Sequence, residues 1–504
     1  MPDAAAPKQS SRALWLGFAA LLVWALLLQG SRGLFEPDEG FYTNAALNMV
    51  RSGDWLVPRL DHGPFLDKPP FALWSIAAGI RVLGTNEWGA RAAHALWFAL
   101  TAFLVGGIAS TLLGPAARWR ASIAYALMLL PYAAGNVVTP DMPLSFWAAL
   151  AAFAYLRSRA EPAGRWLYPL LCGLAVAGGM LTKGPAMLML AAPLCVDRLF
   201  ERRRPWLPDV AAAIVALGLG LAWYVAVART VPGAAEYFLD NQVTGRLISS
   251  SYARHPGVLG ALIYVPVLLL GALPFSPAWF GQLAAAWRDR AWRGILQRPA
   301  ERFVALWLIL PLGVLLAAQS RLPFYALPLC APLAVLAVWS GDSSGQNPRR
   351  LFFAAPWSRR VWITLAVWAC LLLGIRAASA LVPLQQNARL LADALAKVEP
   401  DRATPIVLLE TKRHGLSLYG WQQLLPAVKE RNNYRFFTPA ERLDALLRRL
   451  SPRHVVVLIN SSNQGAATGI LEAEGWSCRA TAGPFAYAFL SCDPAPRPAS
   501  IAQP

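Results

Sequence analysis

The stretch FEPDEGFYTNAALNMVRSGDWLVPRLDHGPFLDKPP, Phe35 to Pro70, decides how the whole chain is read. It sets Glu36, Asp38, Glu39, Asp54, Asp61, Asp67 and Lys68 just after an apolar run, Ala13 to Leu28. The rest of the chain is sparing with charge: of 504 residues, 56% are hydrophobic and 15% charged, against about 25% charged in soluble domains. Together with the long apolar runs, this describes a polytopic membrane protein. Carboxylates held beside apolar segments in such a protein have a use.

Outward from this stretch, apolar runs of roughly 20 residues recur, near 90–113, 120–136, 142–157, 166–181, 184–200, 208–228, 257–283, 302–318, 322–340 and 360–380. With the first run they predict about eleven transmembrane helices. The first is expected to be an uncleaved helix with a cytoplasmic N-terminus. The formal net charge of +18 first suggests nucleic acid. However, the arginines sit in short clusters on alternate loops: Arg118 and Arg120; Arg157, Arg159 and Arg165; Arg198 and Arg202 to Arg204; Arg288 to Arg298; Arg349 to Arg360. All fall on the side of Lys8 and Arg12. That is the positive-inside pattern of cytoplasmic loops, so a nucleic-acid partner is not expected.

The opposite, extracytoplasmic loops gather the unusual polar residues: the acidic stretch, Asp141 in TPDMP, Lys183 in LTKGP, Arg246 in EYFLDNQVTGRL, and Arg321 and Tyr325 in SRLPFY. From Gln385 the composition turns to that of a soluble domain. Helix-like ARLLADALAKV precedes strand-like PIVLLE, PAERLDALLRRL precedes RHVVVLIN, and WSCRATAGPFAYAFLSC reads as a hairpin. The expected organisation is a transmembrane domain over 1–384, whose first loop spans 31–88 and carries juxtamembrane helices. A small α/β domain over 385–504 follows, extracytoplasmic and ending in a disordered tail. Six cysteines include no metal-like spacing. Cys478 and Cys492 flank the hairpin turn and would close a disulfide in an oxidising compartment.

One carboxylate beside a cationic pocket suits group transfer from a phosphate-linked donor. The carboxylate takes the proton of an attacking hydroxyl, while Lys and Arg stabilise the departing phosphate. Each residue also has a structural reading. Asp38 and Glu39 would be solvated loop acids, Asp67 and Lys68 a local ion pair, and Asp141 a helix N-terminal charge. Lys183 and Arg321 would snorkel from helix ends, and His62 and His255 would be surface histidines. The combination, not any one member, carries the functional reading.

The order FEPDEGFY, SGDWLVP, LDKPP, TPDMPL, LTKGP, EYFLDNQVTGRL and SRLPFYALPLCAPLAVL resembles membrane glycosyltransferases of the GT-C superfamily, in the protein O-mannosyltransferase and aminoarabinose transferase-like family. The resemblance covers about residues 13–340. It implies an inverting transfer from a polyprenyl-phosphate-linked sugar to a hydroxyl of lipid A, a polysaccharide or a protein, on the periplasmic face of a bacterial inner membrane. By the same resemblance, Asp38 and Asp141 are catalytic, and Lys68, Arg246, Lys183, Arg321 and Tyr325 bind the donor phosphate. Glu39 and Tyr42 position the substrates, and Asp67 takes the place of a carboxylate that can contact a divalent metal, which makes a divalent metal ion the one candidate cofactor. The chain departs from the aminoarabinose transferases where Gly40-Phe41 precedes Tyr42 without their arginine, and where LDKP stands for FEKP. A transporter of lipid-linked sugars is the rival reading, and an assembly subunit a third.

Overall fold

The structure, a computed structural model, describes residues 10–61, 63–161, 164–201, 205–240, 257–288, 290, 293–339, 357–429 and 440–495. Lys8, His62, Arg202 to Arg204, Arg246, Arg254, His255, Arg349, Arg350 and the tail beyond 495 lie outside the described residues. The chain divides into two compact units. A helical unit comprises residues 1–29, 68–72 and 91–377, and a mixed unit comprises 30–67, 73–90 and 378–504.

Helices follow in order, one of them, α2, in the acidic stretch: α1 Ser11–Leu26, α2 Asp38–Ser52, α3 Phe71–Leu83, α4 Glu87–Leu113, α5 Arg118–Leu127, α6 Leu129–Ala134, α7 Asp141–Ala160, α8 Leu167–Lys183, α9 Ala186–Arg198 and α10 Leu207–Thr230. Among the described residues four helices are long and apolar enough to cross a membrane: α4, α10, Pro299–Ala317 and Arg359–Leu381. The others are shorter or broken, apart from α7, which is 20 residues long but less apolar. The break between α5 and α6 has a visible cause and remedy. Met128 adopts an extended conformation, which strips partners from nearby carbonyls. The indole N–H of Trp24 donates to Ala126 O at 3.1 Å and that of Trp368 to Leu127 O at 2.8 Å. An apolar surround supplies no water to do this, so side chains must.

Small residues let the helices approach. A Cβ placed on Gly173 of α8 would meet the Ala212 carbonyl oxygen of α10 at 2.4 Å, so only glycine fits there. At the end of the helical unit where α7 finishes, buried Asp197 of α9 binds Arg302 at 2.6 Å, Arg159 at 2.7 Å and the Tyr155 hydroxyl at 2.8 Å. Such a charge is tolerable in an apolar interior only with partners of this kind.

In the mixed unit, α2 begins with Asp38 and Glu39, ends with Arg51, and stops at Gly53, whose φ of 73° suits the left-handed position. A short antiparallel ribbon follows, β1 Arg59–Leu60 and β2 Gly63–Pro64. The C-terminal segment builds a six-stranded sheet from β3 Ile406–Leu409, β4 Leu424–Val428, β5 Glu441–Arg442, β6 Val455–Asn460, β7 Trp476–Ala482 and β8 Tyr487–Pro494, in spatial order 5-4-3-6-8-7. Strands 5, 4, 3 and 6 run parallel, and β8 and β7 return antiparallel as the expected hairpin. Cys478 and Cys492 are disulfide-bonded across that hairpin.

Because successive side chains alternate faces, Val407, Leu409, Val455, Val457 and Ile459 pack with Leu443, Leu446, Leu447 and Leu471 on one side. Ile406, Leu408, Val456 and Leu458 pack with Leu391, Leu395, Leu416 and Trp421 on the other. Burial on both faces explains why these strands read as continuous Val/Ile/Leu runs.

The first loop is stitched into the same unit. Glu36 N–H donates to Gln386 O and Ala388 N–H to Leu34 O, both at 2.9 Å. The α2 helix packs on the 3₁₀ turn His414–Tyr419.

Candidate functional site

The helical unit brings together three of the residues singled out from sequence. Asp141 opens α7, where the helix dipole favours an acid, and Lys183 closes α8, where it favours a cation. Antiparallel packing of the two helices sets Lys183 Nζ 2.5 Å from Asp141 Oδ1. The same Nζ lies 3.9 Å from the ring centroid of Tyr325, over its face, an arrangement that stabilises a cation further once water is excluded. Both members of the ion pair are at least nine-tenths buried.

Arg321, also buried, donates to Leu316 O at 2.8 Å and Gly257 O at 3.0 Å, so its guanidinium closes off helix Pro299–Ala317. Tyr264, 1% exposed, lies within electrostatic reach of Asp141, Arg321 and Tyr325. Lys68 belongs to this unit and is buried. Beyond its two prolines, the Phe71 ring meets Trp147 edge-on at 5.0 Å and lies tilted against Trp97 at 5.5 Å. Just before Asp141, the buried His94 ring holds the Thr139 backbone, its Nε2 2.9 Å from the carbonyl oxygen.

The mixed unit sorts its acids sharply. Asp38, at the start of α2, is exposed, while Glu36 and Glu39 are buried. Glu39 is fully enclosed. Its Oε2 accepts from Arg32 Nη1 and from the Phe35 N–H, each at 2.6 Å, so it fixes the turn that leads into α2. Tyr42 is half-buried, with its ring 6.4 Å from that of Phe65. Asp67 is half-buried. Among the described residues no three His, Cys, Asp or Glu side chains come together as a metal ion needs.

Burial pushes the Glu36 carboxyl up to about 8, reinforced by Glu39 and Asp38 and opposed by Arg413 and the Gly415 N–H. Glu36, Asp61, His94, Tyr264 and His414 went unmarked as site residues in the sequence reading. Glu36 and Asp61 stand in the acidic stretch, but their partners lie more than 350 residues away.

In the helical unit a charged, water-excluding cluster forms where α7 begins and α8 ends, and the mixed unit carries the acid-rich first loop. Comparison with known proteins shows what the chain is similar to. The family model for dolichyl-phosphate-mannose-protein mannosyltransferase matches residues 67–210. The undecaprenyl phosphate-alpha-4-amino-4-deoxy-L-arabinose arabinosyl transferase 1 of Sodalis glossinidius is 31% identical over 72% of this chain and 65% of its own length. The corresponding transferase of Yersinia enterocolitica is 32% identical over 68% of this chain and 61% of its own length. The chain thus spans about two thirds or less of the curated relatives it matches.

In three dimensions the chain is similar to ArnT from Cupriavidus metallidurans bound to undecaprenyl phosphate, with a TM-score of 0.73 at 20% identity, covering 98% of this chain and 100% of that one. The Archaeoglobus fulgidus oligosaccharyltransferase follows with a TM-score of 0.54 at 14% identity, over 92% and 71%. The family model, the curated relatives and the shared fold together support kinship with GT-C membrane glycosyltransferases of the protein O-mannosyltransferase and aminoarabinose transferase-like kind.

Proposed function

We propose that the protein is an inner-membrane glycosyltransferase that moves a sugar, with inversion, from a polyprenyl-phosphate donor to a hydroxyl on the periplasmic face. The donor most in keeping with the relatives is an undecaprenyl-phosphate-linked aminoarabinose, and lipid A is the first acceptor to test. The observation that carries this reading is the sorting of acids at the start of α2. Glu39 is consumed by Arg32 and Phe35, Glu36 is enclosed, and Asp38 stays accessible. A general base has to reach the proton it removes, and of these three acids Asp38 alone is exposed.

Asp38 takes the proton of the acceptor hydroxyl as its oxygen attacks the anomeric carbon. The bond from that carbon to the phosphate oxygen breaks, and the polyprenyl phosphate leaves as an anion. Lys68, Lys183 and Arg321, with Arg246, supply positive charge for that anion. Asp141 holds Lys183 against Tyr325 so that the cation is preorganised before the donor arrives.

About eleven crossings, with residues 1–12 cytoplasmic and the segment from 385 periplasmic, fit two observations. The arginines of α7, α9 and Pro299–Ala317 collect at the end of the helical unit opposite Asp141 and Lys183. The Cys478–Cys492 disulfide suits an oxidising compartment. The test is purified protein in lipid vesicles, offered a panel of undecaprenyl-phosphate sugars with lipid A, polysaccharide and protein acceptors. Release of undecaprenyl phosphate with one donor, lost in Asp38→Asn, supports the reading. Protein-dependent movement of the intact donor across the bilayer without consumption would sink it in favour of transport.

A further inference from the structure

Glu36 occupies a slot that leaves room for nothing else. A Cβ on Gly40 of α2 would lie 2.0 Å from its Oε2, and a Cβ on Gly415 would lie 2.5 Å from its Oε1. Its Oε1 accepts the Gly415 N–H at 2.6 Å, while Oε2 is buried with no hydrogen-bond partner among the described residues.

Beside it the fully buried His414 ring lies 3.0 Å from Asp61 through Nδ1 and 4.7 Å from the Phe41 ring of α2. Asn44 of α2 donates to Asp61 Oδ1 at 3.2 Å and to His414 O at 3.3 Å. Arg51 reaches Ser417 O at 3.4 Å. Three elements of one compact unit therefore meet around two glycines, a carboxyl and an imidazole.

The geometry points to a latch: Glu36, seated between Gly40 and Gly415, and the His414–Asp61 pair are positioning residues through which the C-terminal domain sets the pose of α2 and with it the Asp38 carboxylate. For its effect on turnover this rests on the Asp38 role proposed above. The latch itself does not.

Protonation supplies the operating range. The charged groups facing Glu36 are Asp38 and Glu39 from α2 and Arg413 from the segment before the 3₁₀ turn. Two acids and burial outweigh one arginine, whose Nη2 is engaged by the Tyr487 hydroxyl. The carboxyl is raised from 4.5 to about 8. A group raised on folding contributes stability that is complete below the unfolded value and is lost as pH climbs to the folded one. The closed latch therefore keeps the Glu36 proton at neutral pH, and it loosens progressively as pH climbs from the unfolded value to about 8, levelling off above that.

The experiment uses the full chain in lipid, with undecaprenyl-phosphate-linked aminoarabinose and lipid A as probes. Amide hydrogen exchange across residues 38–52 and turnover are followed from about pH 6 to about pH 9. Wild type should lose protection in α2 between about pH 6 and about pH 8 by up to about tenfold per pH unit and level off above that, with turnover falling over the same range and donor KM unchanged. Glu36→Gln, which mimics the protonated carboxyl, should keep protection and lose this pH dependence. Gly415→Ala, which forces a Cβ against Glu36, should lose protection at every pH.

Identical exchange and turnover profiles for wild type and Glu36→Gln would overturn the latch. Asp38→Asn separates the two readings. If it turns over normally while the Glu36-dependent exchange limb persists, the base assignment fails and the latch stands. If it is inactive and Glu36→Gln changes nothing, the latch alone fails.

Discussion

Two regions of this molecule bury carboxylates, and they do so by opposite means. In the helical unit Asp141 is enclosed against Lys183, and Asp197 against Arg302 and Arg159. A counter-ion offsets the loss of water. In the mixed unit Glu36 faces two further acids and a single arginine, and burial raises it into the range where it keeps a proton. The comparison teaches that an apolar surround can be met with a partner charge or by giving up charge altogether, depending on which residues converge. The first solution suits a site that must present fixed positive charge to a phosphate. The second suits a joint that need only hold shape.

The comparison can be pressed hardest at the exposed acid between these extremes. Asp38→Asn should lower transfer by about 100- to 10,000-fold, the usual range for a lost general base. Its thermal unfolding should stay at the wild-type value, both measured on purified protein in lipid. Next comes the counter-ion pair. Lys183→Met, which leaves Asp141 buried alone, should destabilise the helical unit by about 3–5 kcal/mol. Adding Asp141→Asn should restore much of that, and a double-mutant cycle on unfolding free energies measures the coupling; strict additivity would mean that the pair is not the unit described here.

Cys478→Ser removes a cross-link between residues 14 apart and should cost about 2–4 kcal/mol. A denaturation midpoint that falls under oxidising conditions and matches the reduced wild type checks this. Smallest is Asn387→Ala. The Asn387 side chain accepts from the Arg389 N–H at the start of helix Ala388–Val398, and losing this cap should cost about 1 kcal/mol.

Much of the architecture was legible because the signals are local. Apolar runs of spanning length mark helices wherever they fall, and arginine clusters on alternate loops mark one side. Val/Ile/Leu runs broken by amphipathic segments mark a small α/β segment, and β3 and β6 pair side by side in its sheet. Asp141, Lys183 and Tyr325 were marked from sequence as polar residues at helix ends, and the structure joins them. Glu39, in the first turn of α2, is held by Arg32, a pairing that depends on how the turn before the helix closes rather than on the acid's position in the row.

The sequence by itself determined the membrane class, the order of helices, the existence of a C-terminal α/β segment and the set of charged residues available for chemistry. These follow from periodicity and composition, which are properties of neighbours along the chain. Only the tertiary structure decided which acids see water. Glu36 is enclosed by a glycine 379 positions away, and His414 meets Asp61 across 353. Proton affinity depends on the surroundings that folding assembles, so two acids of one tetrapeptide, Glu36 and Glu39, end with different partners while Asp38 between them stays open.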